Sequence, residues 1–201
     1  MGNSIALETI LLLLLNGLAT TSKGDAAVGK SALSQMFSSD GAHFHKNYSM
    51  TTGVELHTKC VNISETTDSV ELYIIDSAGK EIFQDFCEKM WGQPSVVCVL
   101  FDLTSQQSFD SCSQWMDRVR AHCRGMQLPG VLVGNKSDLS ERREVQTTVA
   151  QEWAQSQGLD YHETSAKEME NCEAPFHSVA RAFHALYQER RETIRNLHIP
   201  P

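Results

Sequence analysis

The chain has 201 residues, enough for one well-packed core and too few for a second full domain, so a single domain is expected. It carries 17 Lys and Arg against 25 Asp and Glu; this excludes a general electrostatic field for nucleic acid or an anionic membrane and confines any phosphate chemistry to a local site. The six cysteines (Cys60, Cys87, Cys98, Cys112, Cys123 and Cys172) show no C-x-x-C spacing and sit mostly in apolar runs, the pattern of reduced, cytosolic thiols packing as small hydrophobes.

The first apolar run, Ile10 to Leu15, is preceded by Glu8 and followed by Asn16 and Gly17. It lacks the positive flank of a secretory signal, although Gly17-x-Ala19 has the form of a cleavage site, and it is too short for a membrane span. Ala6 stands where myristoylation wants Ser or Thr, which makes Gly2 a poor acceptor. Next comes Gly24-Asp25-Ala26-Ala27-Val28-Gly29-Lys30-Ser31, which reads G-x-x-x-x-G-K-S. Glycines let successive backbone N–H groups converge on an anion, and the helix that follows adds the positive end of its dipole. Lys30 would reach the β- and γ-phosphates, and the Ser31 hydroxyl would take one position on Mg²⁺. Such a loop ordinarily hangs from a buried apolar strand, yet Ala19 to Lys23 are mostly polar. Three arrangements fit: a displaced first strand over Leu13 to Thr21, a helix over the Leu run, or an alternative start that supplies the first residues. On this reading residues 1–23 are an atypical apolar segment, 24–196 the domain and 197–201 a short tail.

Lys30 to Ser38 has the spacing of a short amphipathic helix, and Asp40 to Met50 is a polar loop. The His43-x-His45 pair in that loop has no companion ligands in a fixed pattern, and the eight histidines read as surface and core residues. Val54 to Ile63 and Ser69 to Ile75 alternate as the strands of a hairpin. Ser95 to Phe101 and Gly130 to Val133 are short continuous apolar runs, the signature of strands buried on both faces of a parallel sheet. Helices are expected over Gln106 to His122, over Val145 to Gln157, and from Pro175 onward; a last short strand ends in His162-Glu163-Thr164. The alternation predicts a doubly wound α/β fold, a mostly parallel six-stranded sheet with helices on both faces, an atypical first strand, and a ligand crevice beyond the carboxyl ends of the strands.

Four signals fall at those strand ends, in the order a guanine-nucleotide switch requires. Besides the phosphate loop, Asp76 in D-S-A-G can hold Mg²⁺ through a water, and the Gly79 N–H can meet a γ-phosphate oxygen. In Asn135-Lys136-Ser137-Asp138, the Asp138 carboxylate can accept from the N1–H and exocyclic amine of guanine, donors that adenine does not offer there. Ser165-Ala166-Lys167 would place a backbone N–H on the guanine O6 and lay the Lys167 stem over the ring, as Lys136 would from its own loop.

This set resembles the Ras superfamily, Rab-like branch, over residues 24 to about 190. The segments S-D-G-A-H-F, T-T-G-V-E-L, D-S-A-G-K-E, L-P-G-V-L-V-G-N-K and K-E-M-E-N-C-E-A-P-F-H narrow the resemblance to the Rab-like GTPases of the ciliary transport train. The resemblance implies the small-GTPase fold, GTP or GDP with Mg²⁺ as cofactors, and a place in the cytoplasm and cilium. It also implies intraflagellar transport protein 25 and other transport subunits as partners, with no nucleic acid. By the same resemblance Thr51 is the switch threonine on Mg²⁺, and Phe44 is the aromatic edge against the guanine. The departures bear on turnover: Lys80 occupies the position of the glutamine that orients the attacking water, and Ala26 and Ala27 add methyl groups near the γ-phosphate. The sequence ends Ile199-Pro200-Pro201 with no prenylation cysteine, so no direct lipid anchor is expected. Two readings stay open, a slow switching GTPase and an assembly subunit that keeps GTP as a structural ligand.

Overall fold

The computed structural model describes residues 10–16, 28–41, 54–77, 89, 91, 94–124 and 128–197. Ile10–Asn16 (β1), Val54–Asn62 (β2), Ser69–Ser77 (β3), Val96–Asp102 (β4), Gly130–Asn135 (β5) and Asp160–Thr164 (β6) form one sheet of order β2-β3-β1-β4-β5-β6. β2 runs antiparallel to β3, and the other neighbours are parallel. Four α-helices, Lys30–Ser38 (α1), Gln106–His122 (α2), Thr147–Gln157 (α3) and Ala174–Leu197 (α4), and a 3₁₀ segment over Ser137–Arg142 complete the described elements.

The leucine run is the central strand, and this corrects both placements expected for it. It is not a helix, and the strand expected over Leu13 to Thr21 shares only Leu13 to Asn16 with β1, its remainder lying outside the described residues: β1 lies between β3 and β4, with Leu14 opposite Asp76 on one side and Cys98 on the other. A strand between two parallel neighbours reads as a continuous apolar run, which Ile10 to Leu15 supplies and Ala19 to Lys23 does not. A short apolar run carries no periodicity that separates strand from helix, hence the ambiguity in sequence. The sheet thus draws its centre from the segment set apart above as residues 1–23.

All seven residues of β4 are buried, so alternate side chains feed two cores on opposite faces of the sheet. Val96, Cys98 and Leu100 join Leu33 and Phe37 of α1 and Phe176 and Val179 of α4 on one face. Val97, Val99 and Phe101 join Phe109, Trp115 and Val119 of α2 and Ala150 and Ala154 of α3 on the other. The first core is tied by a stacked pair, Phe37 on Phe176, with ring centroids 3.9 Å apart. Ser105 starts α2 by accepting from the Ser108 N–H at 3.3 Å, and Arg120 and His122 in its last turn suit the negative end of the helix dipole. α4 is buried at Phe176, Val179 and Ala180 and only partly covered at Phe183, Leu186 and Tyr187. Of the described cysteines only Cys60 is exposed, and burial pushes the Cys98 and Cys112 thiols far above their ordinary range. Among the described residues no helix is long and apolar enough to cross a membrane.

Removal of residues 1–16 takes the central strand out and leaves β3 and β4 with two open ladders in the middle of the sheet. The expected outcome is loss of cooperative folding, read by far-UV circular dichroism and size-exclusion chromatography. A monomeric, cooperatively melting truncation would contradict the place of β1.

Candidate functional site

A row of polar residues terminates the parallel sheet at its carboxyl end. Asp76 near the end of β3, Asp102 of β4, Asn135 of β5 and Thr164 of β6 are between 0% and 8% exposed. Polar groups this deep require partners, and these come from neighbouring loops, from α1 and from within the row itself.

On the phosphate-loop side the structure describes Val28, Gly29, Lys30 and Ser31. Gly29 caps α1 with φ of +96°, and a β-carbon there would sit 2.2 Å from Asn135 Nδ2. Both the left-handed backbone and the close approach require glycine at this position. Lys30, the first residue of α1, is 4% exposed. Ser31 Oγ donates to Asp76 Oδ2, which brings together the two described residues expected around Mg²⁺. A hydroxyl and a carboxylate are hard oxygen donors and fit that ion. The remaining expected residues, Gly24, Asp25, Ala26, Ala27, Phe44, Thr51, Gly79 and Lys80, lie outside the described residues.

On the base-recognition side, Asn135 is the hub. Its Nδ2 donates to the Val28 carbonyl at 2.8 Å, and its Oδ1 accepts from Thr164 Oγ1 at 3.1 Å and from the Ala166 N–H at 3.2 Å. One buried carboxamide thereby joins the phosphate loop, the end of β6 and the Ser165-Ala166-Lys167 turn. Ser165 Oγ donates to Asp138 Oδ1 at 2.7 Å, which fixes the plane of the carboxylate expected to meet guanine. Lys167 Nζ lies 3.5 Å from Asp138 Oδ2 and 2.8 Å from Glu168 Oε1, and its side chain is 61% exposed. Lys136 has a left-handed backbone, φ of 68°, and its Nζ pairs with Asp102 Oδ2 at 2.5 Å. Asp102 is held in turn by the Thr104 N–H and hydroxyl, at 2.8 and 2.7 Å on Oδ1. The Ala166 N–H that sequence assigns to the guanine O6 here faces Asn135.

Sequence reasoning missed three supporting residues, Asp102, Arg143 and Glu163. Asp102 was legible as the carboxylate closing a fully apolar strand. Arg143 leaves the 3₁₀ segment and grips Glu163 of β6 with two bonds, 2.9 and 2.6 Å, while Tyr161 and Thr147 hydroxyls each donate to Glu163 Oε1 at 2.8 Å. The Arg143 guanidinium holds the Glu163 carboxyl below its ordinary range, and burial, which acts the other way, is the smaller effect. This pair ties the far end of the Asn135–Asp138 loop to the strand that leads into Ser165. No short motif announces it, because the two charges lie 20 residues apart.

The architecture and the site together match one family. The Ras family model covers residues 23–185, and the chain belongs to the Ras family, whose members bind GTP or GDP and typically Mg²⁺. Among relatives, it is 54% identical to the intraflagellar transport protein 27 homolog of Homo sapiens over 174 residues, 87% of this chain and 94% of that one. It is 38% identical to intraflagellar transport protein 27 of Chlamydomonas reinhardtii over 83% of this chain and 84% of that one. It is 35% identical to GTP-binding protein YPTM1 of Zea mays over 79% and 74% of the two chains.

The Asn135 hub predicts a large local cost. Asn135→Ala strands the Val28 carbonyl, the Thr164 hydroxyl and the Ala166 N–H, and at about 1–3 kcal/mol for each unsatisfied buried group the expected destabilisation is about 3 kcal/mol or more. Urea unfolding measures it, and a change under about 1 kcal/mol would mean that water replaces the carboxamide. The Glu163 clamp predicts acid sensitivity. Its pKa is lower folded than unfolded, so its contribution is present above the ordinary carboxylate range and lost as pH falls through the lowered folded value. Thermal melts from pH 6 to 3 should fall less steeply in Glu163→Gln, which no longer titrates there, than in the unmutated chain.

Proposed function

We propose that this chain is a Rab-like, guanine-nucleotide-binding subunit of intraflagellar transport that hydrolyses GTP very slowly. The observation that carries the nucleotide reading is the Asp138 carboxylate, 10% exposed, oriented by Ser165 and within one loop of the Asn135 hub. Oriented this way it offers acceptors to the two donors on the guanine edge, and it would face a repulsive acceptor on adenine. Val28, Gly29, Lys30 and Ser31 support phosphate binding at the start of α1, with Gly24 to Ala27 completing the loop and Gly79 adding an N–H. Bound Mg²⁺ would neutralise charge on the β- and γ-phosphates. Ser31, Asp76 and Thr51 are the residues that would hold it, Asp76 already receiving the Ser31 hydroxyl.

The transport role rests on similarity to the intraflagellar transport protein 27 homologs, and the same similarity supports a location in the cytoplasm and cilium. Intraflagellar transport protein 25 and other transport subunits are the proposed partners. Slow turnover rests on Lys80: orienting the attacking water takes an acceptor, and an ammonium has only donors. The same cation can still neutralise phosphate charge, so binding survives where turnover suffers.

Nucleotide competition and single-turnover hydrolysis test the proposal together. GTP and GDP should outcompete ATP by orders of magnitude, and Asp138→Ala, by leaving the two guanine donors unpaired, should weaken guanine nucleotides by several kcal/mol. Unaided hydrolysis should run at or below about 10⁻⁴ s⁻¹. Equal affinity for ATP and GTP would overturn the binding reading, and turnover faster than about 10⁻² s⁻¹, the rate of switches carrying their own arginine, would overturn the slow one.

A further inference from the structure

We propose that Glu55, His57 and Asp76 form a second divalent-cation site on the β2–β3 ladder, suited to a borderline transition ion of the Mn²⁺ to Zn²⁺ series rather than to Mg²⁺. Glu55 stands directly opposite Asp76, and His57 stands opposite Ile74, so the alternation of the two strands puts all four on one face. One ligand atom from each of Glu55, His57 and Asp76 lies within 4.8 Å of the other two.

Two of these groups are short of partners. Asp76 is fully buried, and although its Oδ2 accepts from Ser31, its Oδ1 has no hydrogen-bond partner among the described residues. His57 Nε2 is a buried atom in the same condition, and its approach to Glu55 Oε2, 3.8 Å, is too long for a hydrogen bond. The Glu55 side chain is 52% exposed, which gives an ion a way in from solvent. Ligands about 2.1 Å from one ion are at most about 4.2 Å apart, so a small rotation of the exposed Glu55 closes the set.

The donor types decide the class of ion. Mg²⁺ demands oxygen ligands and keeps its waters, whereas an imidazole with two carboxylates suits the first-row transition ions, with affinity rising from manganese to copper and falling back at zinc. The three ligands come from a paired ladder, which presents them at fixed spacing. Asp76 belongs to both sites, so by linkage, occupancy of one must alter the affinity of the other. The site itself is built from β2 and β3 and does not depend on the nucleotide reading.

Titration of the full chain with Co²⁺, in a large excess of Mg²⁺ and without nucleotide, tests this by visible absorption. The expected result is one saturable ion per chain with nitrogen–oxygen ligand-field bands and no thiolate charge-transfer band. His57→Asn and Glu55→Gln should each weaken Co²⁺ binding at least tenfold, the lower end of what even a second-shell loss costs. A His43→Ala/His45→Ala double variant should leave it unchanged. Absence of saturable binding would overturn the proposal, as would unchanged affinity in both the His57 and Glu55 variants, or loss of the signal in the His43/His45 variant. Glu55→Gln alters an exposed side chain, so a weakened signal there with an unchanged circular dichroism spectrum supports the site even where His57→Asn unfolds.

Discussion

The Asn135 carboxamide bonds to three separate pieces of backbone or side chain at once, and the rest of the site depends on it. It donates to the Val28 carbonyl and accepts from Thr164 and Ala166 while only 2% exposed. In such surroundings each of these bonds is electrostatically stronger than in water, and each unmade one costs more. The geometry also constrains its neighbour, since the same Nδ2 occupies the space that any side chain at position 29 would need. The last residue of β5 therefore dictates glycine at position 29, at the start of α1. The two halves of the site are held in one frame before any ligand adds its own contacts.

That frame rests on the sheet. Parallel strands deliver Asp76, Asp102, Asn135 and Thr164 to one edge because their apolar bodies are anchored by cores on both faces. Depth makes the polar row costly unless its members pair, and they pair outward, Asp76 to Ser31 of α1 and Asp102 to Lys136, or along the row, Thr164 to Asn135. Arg143 and Glu163 repeat the arrangement one layer farther from the hub and tie down the end of the loop that Asn135 begins.

Much of this was legible in sequence, for reasons that differ by element. The spans of α1 and α2 agree with their apolar spacing at both ends, since Gly29 and Ser105 mark the starts and the periodicity stops at Ser38 and His122. That Asp138, Ser165 and Lys167 would come together was legible because their chemistry is compact: a carboxylate, a hydroxyl and a lysine within two short motifs. β1 was not, because a run of like leucines carries no phase, and because the polar stretch before Gly24 argued against a strand near the loop. Arg143 and Glu163 escaped notice because they are remote from each other in sequence, and Asp102, although it closes an apolar strand, bears no sign in sequence of its partner Lys136; long-range pairing leaves no periodic trace. Lys136 and Lys167 were expected over the base, yet each finds a carboxylate, Asp102 for one and Asp138 with Glu168 for the other. An ammonium in the absence of other contacts goes to the nearest negative charge.

On the proposed reading, the places where the chain departs from its family's pattern separate holding a nucleotide from consuming it. Val28, Gly29, Ser31, Asn135, Asp138 and Ser165 sit on or beside strands and helices and, on the proposed reading, grip the base and the phosphates nearest it. On the same reading, Lys80, Ala26 and Ala27 bear on the γ-phosphate and its attacking water. Contacts made equally to the bound nucleotide and to the transition state strengthen binding without speeding the reaction, so losses confined to the second group leave affinity intact. A nucleotide held this way acts on the protein itself. At a hundredfold excess over its dissociation constant, a ligand that binds only the folded chain adds about 2.7 kcal/mol of stability. For a subunit whose polar row is buried at the edge of its sheet, that contribution is comparable to one of the pairs that hold the row together.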